Sequence, residues 1–196
     1  AKGIVPTVSG AIWGAKGRSF DGIDDKIALP VASAAGTLGT FICWVKFDVL
    51  AALIPMLMTS SDTATDSSYL RLWVTGSKLR ITCGYDGINY DEVEGGSTLV
   101  IDTWYHVAFI SSDTAYSILV NGVAETLTIL SGANSGRWFG DVVASRENAL
   151  LGVQTRTSSI GWLDGTIGEV LIYNRALTAD EVYHLWEVSK WRYLGQ

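Results

Sequence analysis

The strongest constraint on this chain is its rhythm. Short apolar segments follow one another from end to end: KIALP, TFICWVKF, IPMLMTS, SYLRLWVTG, KLRITCGY, WYHVAFISS, YSILVNG, AETLTIL, ALLGVQ and TIGEVLIYN. They are rich in Val, Ile, Thr and aromatic residues, and Gly, Asn, Asp and Ser separate them, which is how an antiparallel sandwich or barrel reads in sequence. Asn121-Gly122 is the sharpest turn signal, since this pair accepts the positive φ of a two-residue hairpin. It predicts a hairpin joining 116–120 to 123–129, and VTGSK at 74–78 predicts another. In FICWVKF, Phe41, Cys43, Val45 and Phe47 line one side while Ile42 and Trp44 occupy the other. A strand apolar on both faces belongs at the centre of a layered structure, or turns one face into an aromatic-lined groove.

One helix is predicted, over 178–188. Thr178 caps it, Glu181 completes a capping box, Leu177 staples to Val182, and Val182, Leu185 and Trp186 form its apolar face. It is expected to pack across the sandwich near its end. Residues 189–196 then form an extension, whose Trp191 and Tyr193 pack on the domain itself or on a neighbour.

Composition narrows the function classes. With 196 residues, no repeat and no Pro-rich linker, the chain reads as a single domain over 1–196. A charged fraction of 17% against an apolar fraction of 48% excludes disorder. The net charge of −6, without a Lys/Arg cluster, excludes a nucleic-acid surface. No apolar run reaches the roughly 20 residues that cross a bilayer, so membrane insertion is not expected. The first residues lack the layout of a secretory signal, and because the chain starts with Ala1 an upstream segment may be missing, which leaves localisation open at this level. Cys43 and Cys83 sit inside apolar strands and read as buried free thiols, a disulfide between neighbouring strands being the other reading. His106 and His184 are the only histidines, which supports neither a zinc site nor Ser–His–Asp or Cys–His chemistry.

The motifs FDGIDDKIALP, TFICWVKF, WYHVAF, ILVNGV and LDGTIGEVLIYNRALTADEVYHLW, in this order over about residues 12–187, resemble the laminin-G-like jelly roll of the concanavalin-A-like lectin/glucanase superfamily. The resemblance implies an all-β fold, an antiparallel jelly-roll β-sandwich with one concave sheet, binding loops at its rim and one short C-terminal helix. It also implies glycan or protein binding, in an accessory module or on a virion or cell surface. Three departures stand out. Family members carry an earlier strand before the segment GIVPTVSGAIW, which predicts an open sheet edge here. Gly168 stands where the family has Asp, and VSKWRYLGQ runs past the usual end.

Candidate sites follow. Asp21, Asp24 and Asp25 form an Asp/Gly-rich turn, which supplies the mixed carboxylate and carbonyl oxygens of a Ca²⁺ site but is equally explained by Asp side chains bonding their own backbone. The resemblance implies a structural Ca²⁺ where this turn meets the penultimate strand, which would bring in Asp164 or Glu169. Asp91, Glu92 and Glu94 in YDEVEGG offer a carboxylate pair such as glycoside hydrolysis needs. The family's catalytic Glu-x-Asp-x-x-Glu pattern is absent, however, so the stretch is taken as a solvated loop and no enzyme is expected. For sugar binding, aromatic faces beside polar groups are required, and Trp73, Tyr85, Asn89, Tyr90, Trp138, Arg156 and Trp162 lie in or next to predicted loops. Trp44 and Trp104 read as core. The expected function is a non-catalytic, lectin-like carbohydrate-binding module, extracellular or on a cell or virion surface. The alternative is a structural subunit of a virion decoration, tail or surface fibre, which the mean hydropathy of +0.25 favours. The expected partners are therefore a glycan or neighbouring protein subunits, a homo-oligomer included.

Overall fold

The structure, a computed structural model, describes residues 5–50, 54–66, 68–85, 88–142 and 147–195. The first third of the chain supplies β1 (Thr7–Ser9), β2 (Ile12–Gly14), β3 (Gly17–Asp21), β4 (Lys26–Ala28), β5 (Gly39–Phe47) and β6 (Met56–Ser61). The middle supplies β7 (Tyr69–Thr75), β8 (Lys78–Gly84), β9 (Tyr90–Glu94), β10 (Trp104–Ser111), β11 (Tyr116–Val120), β12 (Val123–Ala124) and β13 (Thr128–Ser131). Then come β14 (Leu150–Leu151), β15 (Gln154–Thr155), β16 (Ser159–Ile160), β17 (Asp164–Tyr173) and the helix α1 (Ala179–Leu194).

Two antiparallel sheets result, an eight-stranded one ordered β1-β4-β14-β6-β7-β8-β9-β13 and a seven-stranded one ordered β12-β11-β10-β5-β17-β3-β2. The expected all-β sandwich is therefore present, with β15 and β16 forming a small separate hairpin. Between the sheets, Phe41, Cys43, Val45 and Phe47 of β5 join Leu70, Leu72 and Val74 of β7 and Ile81 of β8 in one buried cluster. Each fully buried aliphatic or aromatic side chain contributes roughly 1.5–3 kcal/mol relative to exposure. Cys43 and Cys83 are both buried and unbridged.

The other face of β5 is covered too, by α1. Ile42, Ala108, Ile110 and Leu119 of the seven-stranded sheet pack there against Leu177 and Val182. The helix thus lies along the outer face of that sheet, not across the end of the sandwich. Its start is as expected, since Thr178 and Glu181 form the reciprocal capping box. Its end is not. The helix runs to Leu194, and the supposed extension is its last turns. Tyr193 stacks on Trp44 with centroids 4.5 Å apart, and its hydroxyl accepts a hydrogen bond from the Glu169 backbone N–H at 2.8 Å. Trp44 Nε1 donates to Ser189 Oγ at 2.9 Å. This docking accounts for Gly168, because a Cβ there would lie 2.5 Å from the Tyr193 ring.

Both predicted hairpin turns carry two successive positive φ values, 55° and 62° at Gly76 and Ser77 and 51° and 78° at Asn121 and Gly122. The segment AETLTIL is nevertheless not one strand. β12 closes the hairpin with β11, whereas β13 crosses to the other sheet and pairs with β9. The YDEVEGG stretch is likewise no solvated loop: β9 is held between β8 and β13.

Candidate functional site

The outer face of the eight-stranded sheet follows from period-two alternation. Leu70, Leu72 and Val74 point into the core, as do Leu79, Ile81, Cys83 and Val93. Tyr69, Arg71 and Trp73 of β7, Arg80, Thr82 and Gly84 of β8, and Tyr90, Glu92 and Glu94 of β9 therefore face outward. The strand register stacks them in three rows. One row reads Ser61, Tyr69, Gly84, Tyr90; the next Thr59, Arg71, Thr82, Glu92, Ser131; the third Met56, Trp73, Arg80, Glu94, Thr128. Gly84 has no side chain, so the first row is a trough between two tyrosines standing two strand spacings, about 10 Å, apart.

A polar network lies beside this trough, in the two adjoining rows. Arg80 Nη1 pairs with Glu92 Oε1 at 2.7 Å, and Arg80 Nε donates to Glu94 Oε2 at 2.8 Å. Thr82 Oγ1 donates to Glu92 Oε2 at 2.8 Å and accepts from Trp73 Nε1 at 2.8 Å. Arg71 lies over the Trp73 ring at 4.0 Å and beside Tyr69 at 5.3 Å. Burial lowers the Arg71 pKa, with nearby Arg156 and Arg80 acting in the same direction. Arg156 arrives from the β15–β16 turn, 4.9 Å from the centre of the same Tyr69 ring. Thr59 Oγ1 to the Val153 carbonyl at 2.8 Å, and Asn148 Nδ2 to the Thr155 carbonyl at 2.9 Å, fix that turn against β6.

The structure therefore brings Trp73 and Arg156 together but changes the role of the first. Trp73 is 6% exposed beneath Arg71; it supports the guanidinium and is not an open stacking platform. Tyr85, Asn89 and Tyr90 cluster at the β8–β9 connection, where the Tyr85 N–H donates to the Asn89 carbonyl at 3.4 Å and Arg137 covers the Tyr85 ring at 3.9 Å. Tyr90 remains open, 43% exposed. Trp138 is a core residue instead of a rim aromatic. Its indole fills the space above Gly39, where a Cβ would come 2.6 Å from Nε1. Trp162 is half-buried in the link between β16 and β17. Tyr69, Arg71 and Arg80 were missed from sequence, although the alternation in YLRLWVT marks the first two as outward-facing, and Glu92 was named there only as a carboxylate of a solvated loop. Asp91, by contrast, is structural: it accepts from the Ala133 N–H at 2.9 Å and from the Ser135 hydroxyl.

At the other end of the sheets, Asp21, Asp24 and Asp25 each present a carboxylate oxygen within 4.8 Å of the others. Asp164 faces Asp21 across the β3–β17 register. Turn bonding is also there: Asp21 Oδ1 accepts from the Ile23 N–H at 2.9 Å, and Asp25 Oδ2 from the Asp21 N–H at 3.0 Å. Burial raises the Asp25 carboxyl against the lowering effect of its bond from the Asp21 N–H, with the charges of Asp21 and Asp24 also raising it; Asp164 is raised by burial, then by Asp48 and Asp21. This donor set suits a hard cation. Glu169 does not belong to it. Five residues further along β17, about 16 Å away, it faces Arg192 at 3.4 Å.

A separate cleft of about 670 Å³ is lined by Trp13, Lys16, Glu169, Trp191 and Arg192. Trp13 and Trp191 are 71% and 63% exposed.

Comparison with known proteins matches this architecture. The family model of the Concanavalin A-like lectin/glucanases superfamily matches residues 21–183. No curated protein matches the chain by sequence. Among solved structures, the chain is similar to the Ruminococcus gnavus IT-sialidase CBM40 bound to alpha2,3 sialyllactose. The identity is 16%, covering 91% of this chain and 97% of that one, with a TM-score of 0.68. Domain 4 of AbnA, a GH43 extracellular arabinanase from Geobacillus stearothermophilus in complex with arabinotriose, is 20% identical over 93% of this chain and 82% of that one, with a TM-score of 0.65. Trypanosoma rangeli sialidase in complex with 2,3-difluorosialic acid gives 18% identity and a TM-score of 0.70 over 96% of this chain but 30% of that one.

Proposed function

We propose that this chain, which belongs to the concanavalin A-like lectin/glucanases superfamily, is a non-catalytic carbohydrate-binding module that works outside the cell, on a cell or virion surface. The observation that carries this reading is the row Tyr69, Gly84, Tyr90 beside the row Arg71, Thr82, Glu92. Aromatic flanks accept the apolar face of a pyranose, and the Arg71 guanidinium beside them matches its hydroxyls, while Thr82 and Glu92 are buried next to it and bonded to each other. The complexes of similar folds with sialyllactose and arabinotriose support it. Glu92 and Glu94, the carboxylates weighed for glycoside hydrolysis, are both engaged by Arg80, which leaves neither as a free acid. No helix among the described residues is long and apolar enough to cross a membrane.

Asp21, Asp24, Asp25 and Asp164 would hold a structural Ca²⁺, tying the β3–β4 turn to β17. The module reading is tested on a glycan array with wild type, Tyr69→Ala and Tyr90→Ala. Binding that either variant loses while its thermal unfolding stays unchanged supports the assignment; a wild type that takes no glycan overturns it.

A second reading is favoured by one observation. Trp13 and Trp191 are both more than half exposed where they line their cleft, and exposed apolar surface of this kind marks protein contacts. Light scattering on a size-exclusion column distinguishes a self-associating subunit from a monomeric module.

A further inference from the structure

We infer that the glycan taken by this face carries a carboxylate, held between Arg71 and Arg156 while its sugar ring stands against Tyr69; the inference rests on the module reading above. Three arginines on this face are unequally paired. Arg80 is saturated, with Glu92 at 2.7 Å and Glu94 at 2.6 Å. Arg71 and Arg156 are not. The nearest carboxylate oxygen to Arg71 is Glu92 Oε2 at 3.7 Å, and that atom already accepts from Thr82. Arg156 donates from Nη1 to the Asp66 backbone carbonyl at 2.7 Å, but it reaches the Asp66 carboxylate only at 3.6 Å, and Asp66 is itself 61% exposed.

Both guanidiniums are nevertheless largely removed from water, with side chains 15% and 19% exposed. Among the described residues the buried Nε of each has no hydrogen-bond partner. Arginine cannot discard its proton to escape this cost, and a desolvated charge without a close counter-ion is expensive. The two cations also share one ring, at 5.3 and 4.9 Å from the Tyr69 centroid, so each raises the cost of the other. In a protein of net charge −6, two arginines with no carboxylate of the described residues closer than 3.6 Å converging on an aromatic face form a site lacking its anion. A planar carboxylate matches the guanidinium fork from both sides. The bound residue would then be a sialic or a uronic acid.

Isothermal titration of the whole chain with sialyllactose, with digalacturonate, and with the methyl ester of whichever binds decides the matter. The acid is expected to bind about ten- to a hundredfold more tightly than its ester, the size of a lost charge-assisted interaction. The two acids separate the sialic from the uronic source. Arg71→Gln and Arg156→Gln should each weaken the acid to a similar degree, whereas Lys190→Gln, which removes a positive charge from α1 on the opposite face, should not. Equal affinity for acid and ester, or an equal loss in Lys190→Gln, overturns the inference. Neutral glycans bound in a Tyr69-dependent way would leave the module reading standing and this one refuted; no binding of any glycan would remove both. The acid and ester comparison needs no variant, so a substitution that fails to fold does not protect the inference.

Discussion

Gly168→Ala is the sharpest test of how the C-terminal helix is attached. A Cβ at this position would lie 2.5 Å from Tyr193 Cε1 and 2.6 Å from its hydroxyl oxygen, where carbon contacts settle at about 3.5–4.0 Å. The ring must therefore retreat by about 1 Å. It has little room, because it is stacked on Trp44 at 4.5 Å, tilted against Trp104 at 4.9 Å, and bonded to the Glu169 N–H at 2.8 Å. Overpacking of this kind costs about 1–3 kcal/mol. At roughly 2–4 °C per kcal/mol for a chain of this size, a central cost near 2 kcal/mol lowers Tm by about 4–8 °C. Tyr193→Ala alone should cost about 2–4 kcal/mol, somewhat less than a fully buried aromatic. In that background the Tyr193 clash is gone, and Gly168→Ala should cost about 0.5 kcal/mol or less, a coupling that urea denaturation of the four proteins measures. Gly168 also lies in the irregular stretch of β17 between Ile167 and Val170. If Gly168→Ala costs the same with and without the Tyr193 ring, the glycine serves that backbone irregularity and the steric argument is refuted.

Three further outcomes are expected. Burial holds the His106 imidazole neutral and lowers its pKa from 6.5 to about 4. The unfolded chain therefore takes up the proton first, so the stability is complete above about pH 6.5 and falls as pH drops toward 4, by about 1.4 kcal/mol per unit. Urea unfolding at pH 7 and pH 5 should differ by about 2 kcal/mol on this account, and His106→Leu should remove that difference; an unchanged acid sensitivity in the variant would contradict it. Thermal unfolding should rise with Ca²⁺, fall back with EDTA, and lose the response in Asp25→Asn, whereas identical melts would leave the aspartates as turn residues. Burial pushes both thiols up, Cys83 to about 12, so a thiol reagent at pH 8 should find neither cysteine in the native protein and two after denaturation; rapid native labelling of either would contradict the packing.

Much of the scaffold was legible because its signals are local. The two-faced apolar pattern of β5 demanded cover on both sides, and α1 supplies the second cover. The Asn121-Gly122 turn and the Thr178–Glu181 box each lie within four residues. β9 was hidden because Asp and Glu are poor strand formers and two glycines follow; its outward carboxylates Glu92 and Glu94 are neutralised by Arg80 and Lys78 of the neighbouring strand. The trough was hidden for a related reason, since Tyr69, Gly84 and Tyr90 become neighbours only through inter-strand register. Trp73 and Trp138 show the limit for aromatics: an indole next to a loop reads the same whether it opens to solvent, lies beneath an arginine, or fills the space above a glycine. The acidic turn was read with both its meanings, and Asp164 joins it through the β3–β17 pairing while Glu169, on the same strand, is carried away.

The central claim is that the face built by Tyr69, Gly84 and Tyr90 binds sugar, and filling its trough tests this most directly. Gly84→Val places a β-branched side chain, well suited to a strand, between the two tyrosines without touching the core side of β8. Titrated with the glycan that gives the strongest array signal, the folded variant should lose at least about tenfold in affinity, the loss of roughly 1.4 kcal/mol of contact. Wild-type affinity in a folded Gly84→Val protein would show that the glycan binds elsewhere.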